Sequence, residues 1–200
     1  MLEARDIAYA YPGARDPLYR GFNLAVDAHE RVALSAPSGF GKTTLCRLLA
    51  GYERPHKGEI LVDGAPLPKR GACPVQLILQ HPETAVDPRM RMEQTLAEAG
   101  NVPQSLLDDL GIQGKWLTRF PHELSGGELQ RFCIARALAA NPRYLVADEI
   151  STMLDAVTQA QIWRFLMAET ERRGIGLVFV SHSPALTERI ATRVVDLAQE

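Results

Sequence analysis

The stretch from Arg31 to Leu49 constrains this chain more than any other. Arg31-Val32-Ala33-Leu34 reads as a strand, Ala36-Pro37-Ser38-Gly39-Phe40-Gly41-Lys42-Thr43 as a glycine-rich turn, and Thr43 to Leu49 as a helix. In this order the three make the P-loop pattern, with Ala36 at the first glycine position. Glycines let backbone N–H groups turn inward around phosphate oxygens. The helix start adds the positive end of its dipole. Ser38, Gly39, Phe40, Gly41, Lys42, Thr43 and Thr44 are therefore candidates for holding a phosphate chain. Lys42 can reach the outer phosphates, and the Thr43 hydroxyl suits Mg2+, which takes oxygen ligands. Phe40 is bulkier than the small residue usual between the last two glycines. It either narrows the phosphate mouth or packs across an interface.

The rest of the chain supplies a frame for such a loop. Tyr144-Leu145-Val146-Ala147 and Gly176-Leu177-Val178-Phe179-Val180 are near-continuous apolar runs, as parallel strands covered on both faces require. Asp155 to Arg172 reads as a helix between them, making a β-α-β unit. Glu59-Ile60-Leu61-Val62, followed by the Asp63-Gly64 turn signal, and Val75 to Leu79 are further strands. Prolines at 82, 88, 103 and 121 set apart a segment with short helical pieces at Met92–Ala99 and Gln104–Leu110. The expected organisation is an α/β core formed by 1–80 and 121–200, with a helical subdomain over 81–120. Lys and Arg number 22 against 24 Asp and Glu, a net charge of −2, which excludes a basic nucleic-acid coat and an acidic disordered tail.

No apolar run is long enough for a membrane span. The start, Met1-Leu2-Glu3-Ala4-Arg5-Asp6, lacks the basic and apolar pattern of an export leader. Cys46, Cys73 and Cys133 have no metal or redox spacing and read as small buried hydrophobes in a reducing compartment. His81 and His122 likewise lack ligand spacing.

Two further motifs carry chemistry. Tyr144 to Ala147 ends in Asp148-Glu149. Ligands of α/β sheets gather at the carboxyl ends of strands, so Asp148 is placed to hold Mg2+ and Glu149 to orient or deprotonate an attacking water. Leu124-Ser125-Gly126-Gly127-Glu128-Leu129-Gln130-Arg131 precedes a helix running to about Ala139. Ser125 and Glu128 have capping-box spacing. Capping does not require the paired glycines, and a helix start bearing Ser and two Gly is also an anion site.

With this segment the chain resembles the ATP-binding subunits of ABC transporters. It is similar to their LSGGQ signature, with Glu128 where glutamine is usual. Gln80 stands where the family has its Q-loop glutamine. Ser151-Thr152-Met153-Leu154-Asp155 resembles the D-loop, and His182, after Val180-Ser181, the switch histidine. Tyr11 matches the aromatic that stacks on adenine, with Tyr9 a weaker candidate. The resemblance implies a P-loop NTPase core of ABC type, a RecA-like parallel sheet with an N-terminal antiparallel β part.

It also implies a mode of action. Two such subunits, alike or unlike, would pair head to tail, each ATP lying between one P-loop and the partner's Ser125, Gly126 and Gly127. Glu149, His182, Gln80 and Lys42 would be the catalytic set, and Thr43, Gln80 and Asp148 the Mg2+ set. Gln80 would pass closure to the helical insertion. Permease subunits and a substrate-binding protein would complete the assembly. The chain would lie peripherally on the cytoplasmic face of the inner membrane, without nucleic acid.

His81-Pro82-Glu83-Thr84-Ala85-Val86-Asp87-Pro88-Arg89 and the run Thr152 to Ile162 are similar to the branch importing peptides, nickel or metal-chelating small molecules. An ABC-type ATPase in a soluble complex, and a catalytically weak subunit of a heterodimer, remain as alternatives. Arg91 and Arg172-Arg173 read as solvated helix faces or contacts to membrane subunits.

Overall fold

The computed structural model describes residues 1–152 and 154–198. Met153 of the D-loop-like segment, and residues 199 and 200, lie outside the described residues.

Two sheets organise the molecule. Strands β1 (Leu2–Tyr9), β2 (Tyr19–Val26), β4 (Lys57–Val62) and β5 (Ala65–Pro66) form an antiparallel sheet in the order β2-β1-β4-β5. Strands β3 (Arg31–Ser35), β6 (Val75–Ile78), β7 (Tyr144–Asp148), β8 (Gly176–Val180) and β9 (Arg193–Asp196) form a parallel sheet in the order β6-β7-β8-β3-β9. The helices are α1 (Lys42–Leu49), α2 (Met92–Ala97), α3 (Gln104–Asp109), α4 (Gly126–Ala139), α5 (Ala156–Arg173) and α6 (Pro184–Ile190).

Alternation along the parallel strands explains why they read as unbroken apolar runs. Tyr144, Val146, Val178 and Val180 face a core shared with α1 and with the antiparallel strands, through Leu45, Leu48, Leu2, Ile7 and Val26. Leu145, Ala147, Leu177 and Phe179 face the other way, against Phe132 and Ile134 of α4 and Ile162, Trp163 and Leu166 of α5. Both faces are dry, so each residue of the run must be apolar. Glycine at 176 is a packing requirement, because a Cβ there would lie 2.5 Å from the Tyr144 ring. The segment 81–120 carries α2 and α3 and contributes Met92, Leu96, Leu106, Leu107 and Leu110 to the α4 side of the core.

The helix α5 starts one residue later than expected. Asp155 is its N-cap, accepting from the Val157 and Thr158 amides at 3.0 Å each, while Gly174 ends it in the left-handed region. Cys46 and Cys133 are buried, and Cys73 is half-buried. Burial pushes the Cys133 thiol up to about 11.

The three arginines that read as solvated faces differ in their packing. Arg91 sits 4.7 Å from the centre of the Phe120 ring and donates to the Thr118 carbonyl. Arg172 and Arg173 both pair with Glu169, at 2.8 and 2.5 Å. Arg173 also donates to the Leu138 carbonyl at 2.9 Å. Arg91 and Arg172 stay exposed, as a solvated helix face requires, and only Arg173 is drawn into the fold by its carbonyl and carboxylate partners.

Candidate functional site

The parallel sheet brings the sequence candidates to one edge. In a parallel sheet all carboxyl ends point the same way, and β6, β7, β8 and β3 are consecutive neighbours. Gln80 follows β6, Asp148-Glu149 end β7, His182 follows β8, and the glycine-rich loop follows β3.

The loop itself is backed by its own chain. Gly41 is the N-cap of α1 at φ 90°, with no side-chain cap. A Cβ there would lie 2.7 Å from Leu18 and 2.8 Å from the Tyr19 hydroxyl, so only glycine fits. Ser38 and Gly39 are exposed, Gly39 also in the left-handed region at φ 85°. Lys42 is buried and donates to the Ala36 carbonyl at 2.8 Å and the Pro37 carbonyl at 3.2 Å. Its ammonium closes the loop from within and leaves a positive charge at the loop's centre. Phe40 neither plugs the loop nor packs inward. It is 46% exposed and lines a groove of about 440 Å³ with Leu18, Tyr19 and Leu197.

Beside the loop stands the acid pair. Asp148 is buried, and the Thr43 side chain hydrogen-bonds its carboxylate. Burial pushes the Asp148 carboxyl above its ordinary range, opposed by the Thr43 bond and aided by the charge of Glu149. The Oδ1 atom of Asp148 has no partner, although it is buried. A buried carboxylate oxygen of this kind favours a cation. Among the described residues no cluster of three or more His, Cys, Asp or Glu side chains could hold a metal by itself. A site of one carboxylate and one hydroxyl suits Mg2+ carried in with phosphates.

Glu149 has left the strand conformation, at φ 50°. A non-glycine residue in the left-handed region costs about 1–3 kcal/mol and persists where its surroundings hold it. Its Oε1 lies 2.8 Å from Nε2 of His182. His182 is half exposed, so the pair faces the open edge. Gln80 donates through Nε2 to the Thr152 hydroxyl at 3.4 Å.

The aromatic candidates separate by exposure. Tyr11 is 45% exposed, and its hydroxyl lies 2.6 Å from that of Thr44. Tyr9 is buried, stacks on His56 at 5.6 Å and donates to Glu53 at 3.1 Å. Only Tyr11 offers a ring to a base beside α1.

The signature segment lies elsewhere. Ser125 caps α4, accepting from the Glu128 amide at 3.3 Å, while Glu128 accepts from the Ser125 amide at 2.7 Å. The capping box therefore forms in full. Gly126 and Gly127 begin the helix on the rim of a groove of about 500 Å³ shared with Trp116, Leu154 and Thr158. The structure brings Lys42, Thr43, Asp148, Glu149, His182 and Gln80 to one edge. Ser125, Gly126 and Gly127 belong to a second surface.

Two contacts had weaker sequence signals. Gln130 is buried on α4 and reaches the Leu79 carbonyl at 3.5 Å, next to Gln80. Arg131 donates to the Leu110 carbonyl at 2.6 Å and to Gln161 at 2.9 Å. Both stand within four residues of the signature glycines, in the helix that these begin, which is the only cue. His81 pairs with Glu83 at 3.1 Å, and His122 stacks on Phe120 at 5.8 Å.

Comparison with known proteins agrees with this fold. The ABC transporter family model matches residues 19–152. The nickel import system ATP-binding protein NikE of Staphylococcus aureus (strain bovine RF122 / ET3-1) is 33% identical over 98% of this chain and 86% of its own length. The glutathione import ATP-binding protein GsiA of Pectobacterium atrosepticum is 38% identical over 82% of this chain and 30% of its own length. Among solved structures, the ATP-binding cassette MJ0796, dimeric in a post-hydrolysis state with ADP and Pi, superposes with a TM-score of 0.85. It is 22% identical, covering 98% of this chain and 94% of that one. The cbiO1 subunit from Clostridium perfringens, part of the ABC transporter complex cbiONQ, superposes at 0.78 and 21% identity, over 98% and 83% of the two chains. The fold is thus that of an ABC cassette, and this chain belongs to the ABC transporter family as one of its ATP-binding, ATP-hydrolysing subunits.

Proposed function

We propose that this chain drives import of a peptide, nickel or a metal-chelating small molecule through separate permease subunits, by hydrolysing ATP between two head-to-tail cassettes. The observation that carries the reading is the contact of 2.8 Å between Glu149 and His182 at the edge that also holds Lys42. An acid and an imidazole in hydrogen-bond reach can together hold and deprotonate a water. Lys42 binds the outer phosphates, and Tyr11 stacks on the base. Thr43, Asp148 and Gln80 would hold Mg2+, which when bound neutralises phosphate charge.

The second surface supports the reading that two cassettes pair. Among the described residues that line the groove of the signature glycines none belongs to the P-loop, so each chain offers two half-sites. Charge-assisted hydrogen bonds to the outer phosphate are worth about 1.5–3 kcal/mol each. Made with ATP and lost with ADP, a few of them switch a dimer between closed and open. The names of the relatives, nickel and glutathione import, fit the cargo class. A substrate-binding protein would deliver that cargo. The relatives' names as ATP-binding proteins of import systems support peripheral attachment at the cytoplasmic face of the inner membrane. Among the described residues no helix is long and apolar enough to cross a membrane.

Glu149→Gln tests the reading. It should keep ATP binding and slow hydrolysis by about 100-fold or more. By size-exclusion chromatography with light scattering it should shift to a dimer with Mg-ATP and not with ADP. A dimer would mean that one gene product completes both sites. Unchanged turnover would remove Glu149 from its role. A monomer that still binds ATP would direct the search to an unlike partner.

A further inference from the structure

We infer that Thr152 is a positioning residue through which Gln80 acts on Glu149. The inference rests on the proposed role of Glu149 in hydrolysis. The Thr152 hydroxyl accepts from Gln80 at 3.4 Å and donates to the backbone carbonyl of Glu149 at 3.1 Å. A hydroxyl can do both at once, and each bond strengthens the other. The two ends of this relay come from different strands, Gln80 after β6 and Glu149 after β7.

The geometry gives the relay something to hold. Glu149 stands at φ 50°, so its backbone must be kept there by its neighbours. The Thr152 amide also donates to the Glu149 carbonyl, at 3.2 Å. Two donors from one residue therefore converge on that oxygen. The next residue back is anchored independently. The buried Ser151 hydroxyl oxygen accepts from Trp163 and Gln159 at 3.0 Å each, which ties the turn to α5. The turn is thus fixed at Ser151 and adjustable at Thr152. When Gln80 moves, the Thr152 hydroxyl is the atom that feels it, and the Glu149 carbonyl is the next. The carboxylate of Glu149 is left for His182.

The test compares T152S, T152V, Q80A and the double variant T152V/Q80A, with E149Q as reference, in ATP hydrolysis and ATP binding. T152V should lower kcat about ten-fold, the scale of one lost hydrogen bond, with the dissociation constant for ATP unchanged. T152S should restore kcat. T152V should slow Q80A no further, because the relay is already cut there, whereas Q80A on T152V still removes the contact of Gln80 with Mg2+. Wild-type turnover in T152V, or effects of T152V and Q80A that multiply, would overturn the relay. Should E149Q itself turn over like wild type, the proposed role of Glu149 fails, a result distinct from failure of the relay alone. A second readout does not depend on turnover. In 15N NMR spectra the side-chain amide of Gln80, identified by its loss in Q80A, should shift in T152V and not in T152S. The Trp163 indole N–H should stay in place, showing that the Ser151 anchor is intact. An unshifted Gln80 amide in T152V would overturn the inference.

Discussion

The two glycine-marked helix starts of this chain look alike in sequence and differ in what surrounds them. At α1 the glycine cap leaves the helix end open. The buried Lys42 and the unpartnered Asp148 oxygen stand beside it. At α4 the serine and Glu128 close the helix end with a reciprocal cap, and Arg131, which lines the same groove, is bonded to the Leu110 carbonyl and Gln161. One start is equipped to hold a phosphate chain by itself. The other offers backbone amides and a hydroxyl to a phosphate that something else must present. The same local rule, glycines ahead of a helix, yields a binding site or half of one according to the charges that the fold brings near.

That contrast can be broken at its strong end first. Lys42→Ala should weaken ATP binding by about 100-fold, the upper scale of charge-assisted bonds, whereas Ser125→Ala should leave the affinity of the single chain unchanged. Titration calorimetry on both reads the difference. Equal losses would mean that the α4 start holds nucleotide within one chain.

The glycines sharpen it next. Gly41→Ala meets Leu18 at 2.7 Å in a left-handed backbone, and should destabilise by about 2 kcal/mol or more. A Cβ on Gly126 meets nothing within 4 Å. Gly126→Ala should be neutral or stabilising by up to about 1 kcal/mol, while weakening ATP-dependent pairing. Urea unfolding separates the two, and a Gly41→Ala protein as stable as wild type would show that the loop is not backed as described.

Ser125→Ala comes third in stability. Loss of the cap should cost about 1 kcal/mol, read in the same unfolding series. A smaller loss would mean that Glu128 alone closes the helix end.

The smallest effect lies outside both regions and serves as their control. The Arg172 hydrogen bond foremost, with the Arg173 charge, holds the Glu169 carboxyl below its ordinary value of 4.5. The folded value is then lower than the unfolded one, so this brace stabilises above about pH 4.5 and fades as pH falls through the lowered value. Glu169→Gln should flatten acid unfolding slightly in that window and leave ATP binding alone.

Much of the site was legible in the chain because its motifs are local. The P-loop run, the acid pair after an apolar strand and the Ser125 capping box each fall within a few residues. Local hydrogen bonding and period decide such features. Tyr11 and Tyr9 were less separable, since a two-residue step along a strand leaves both on one face. Burial of Tyr9 against His56 decides between them. Arg91 and Arg172 are exposed as they read, whereas Arg173 is not, because its partner carbonyl at Leu138 is remote in the sequence. The Gln80–Thr152 contact was equally invisible, joining loops that follow different strands.

By itself, then, the sequence determined the class of fold and the chemistry of each motif, because strand and helix periods and loop composition act over short range. It also settled that the parallel strands are covered on both faces. The tertiary structure alone decided which motifs share an edge. Parallel pairing in the order β6-β7-β8-β3 aligns four strand ends and brings Gln80, Glu149, His182 and Lys42 together, while the signature serine caps a helix away from them. That assembly depends on pairings between distant segments, and no local pattern encodes a distance between them.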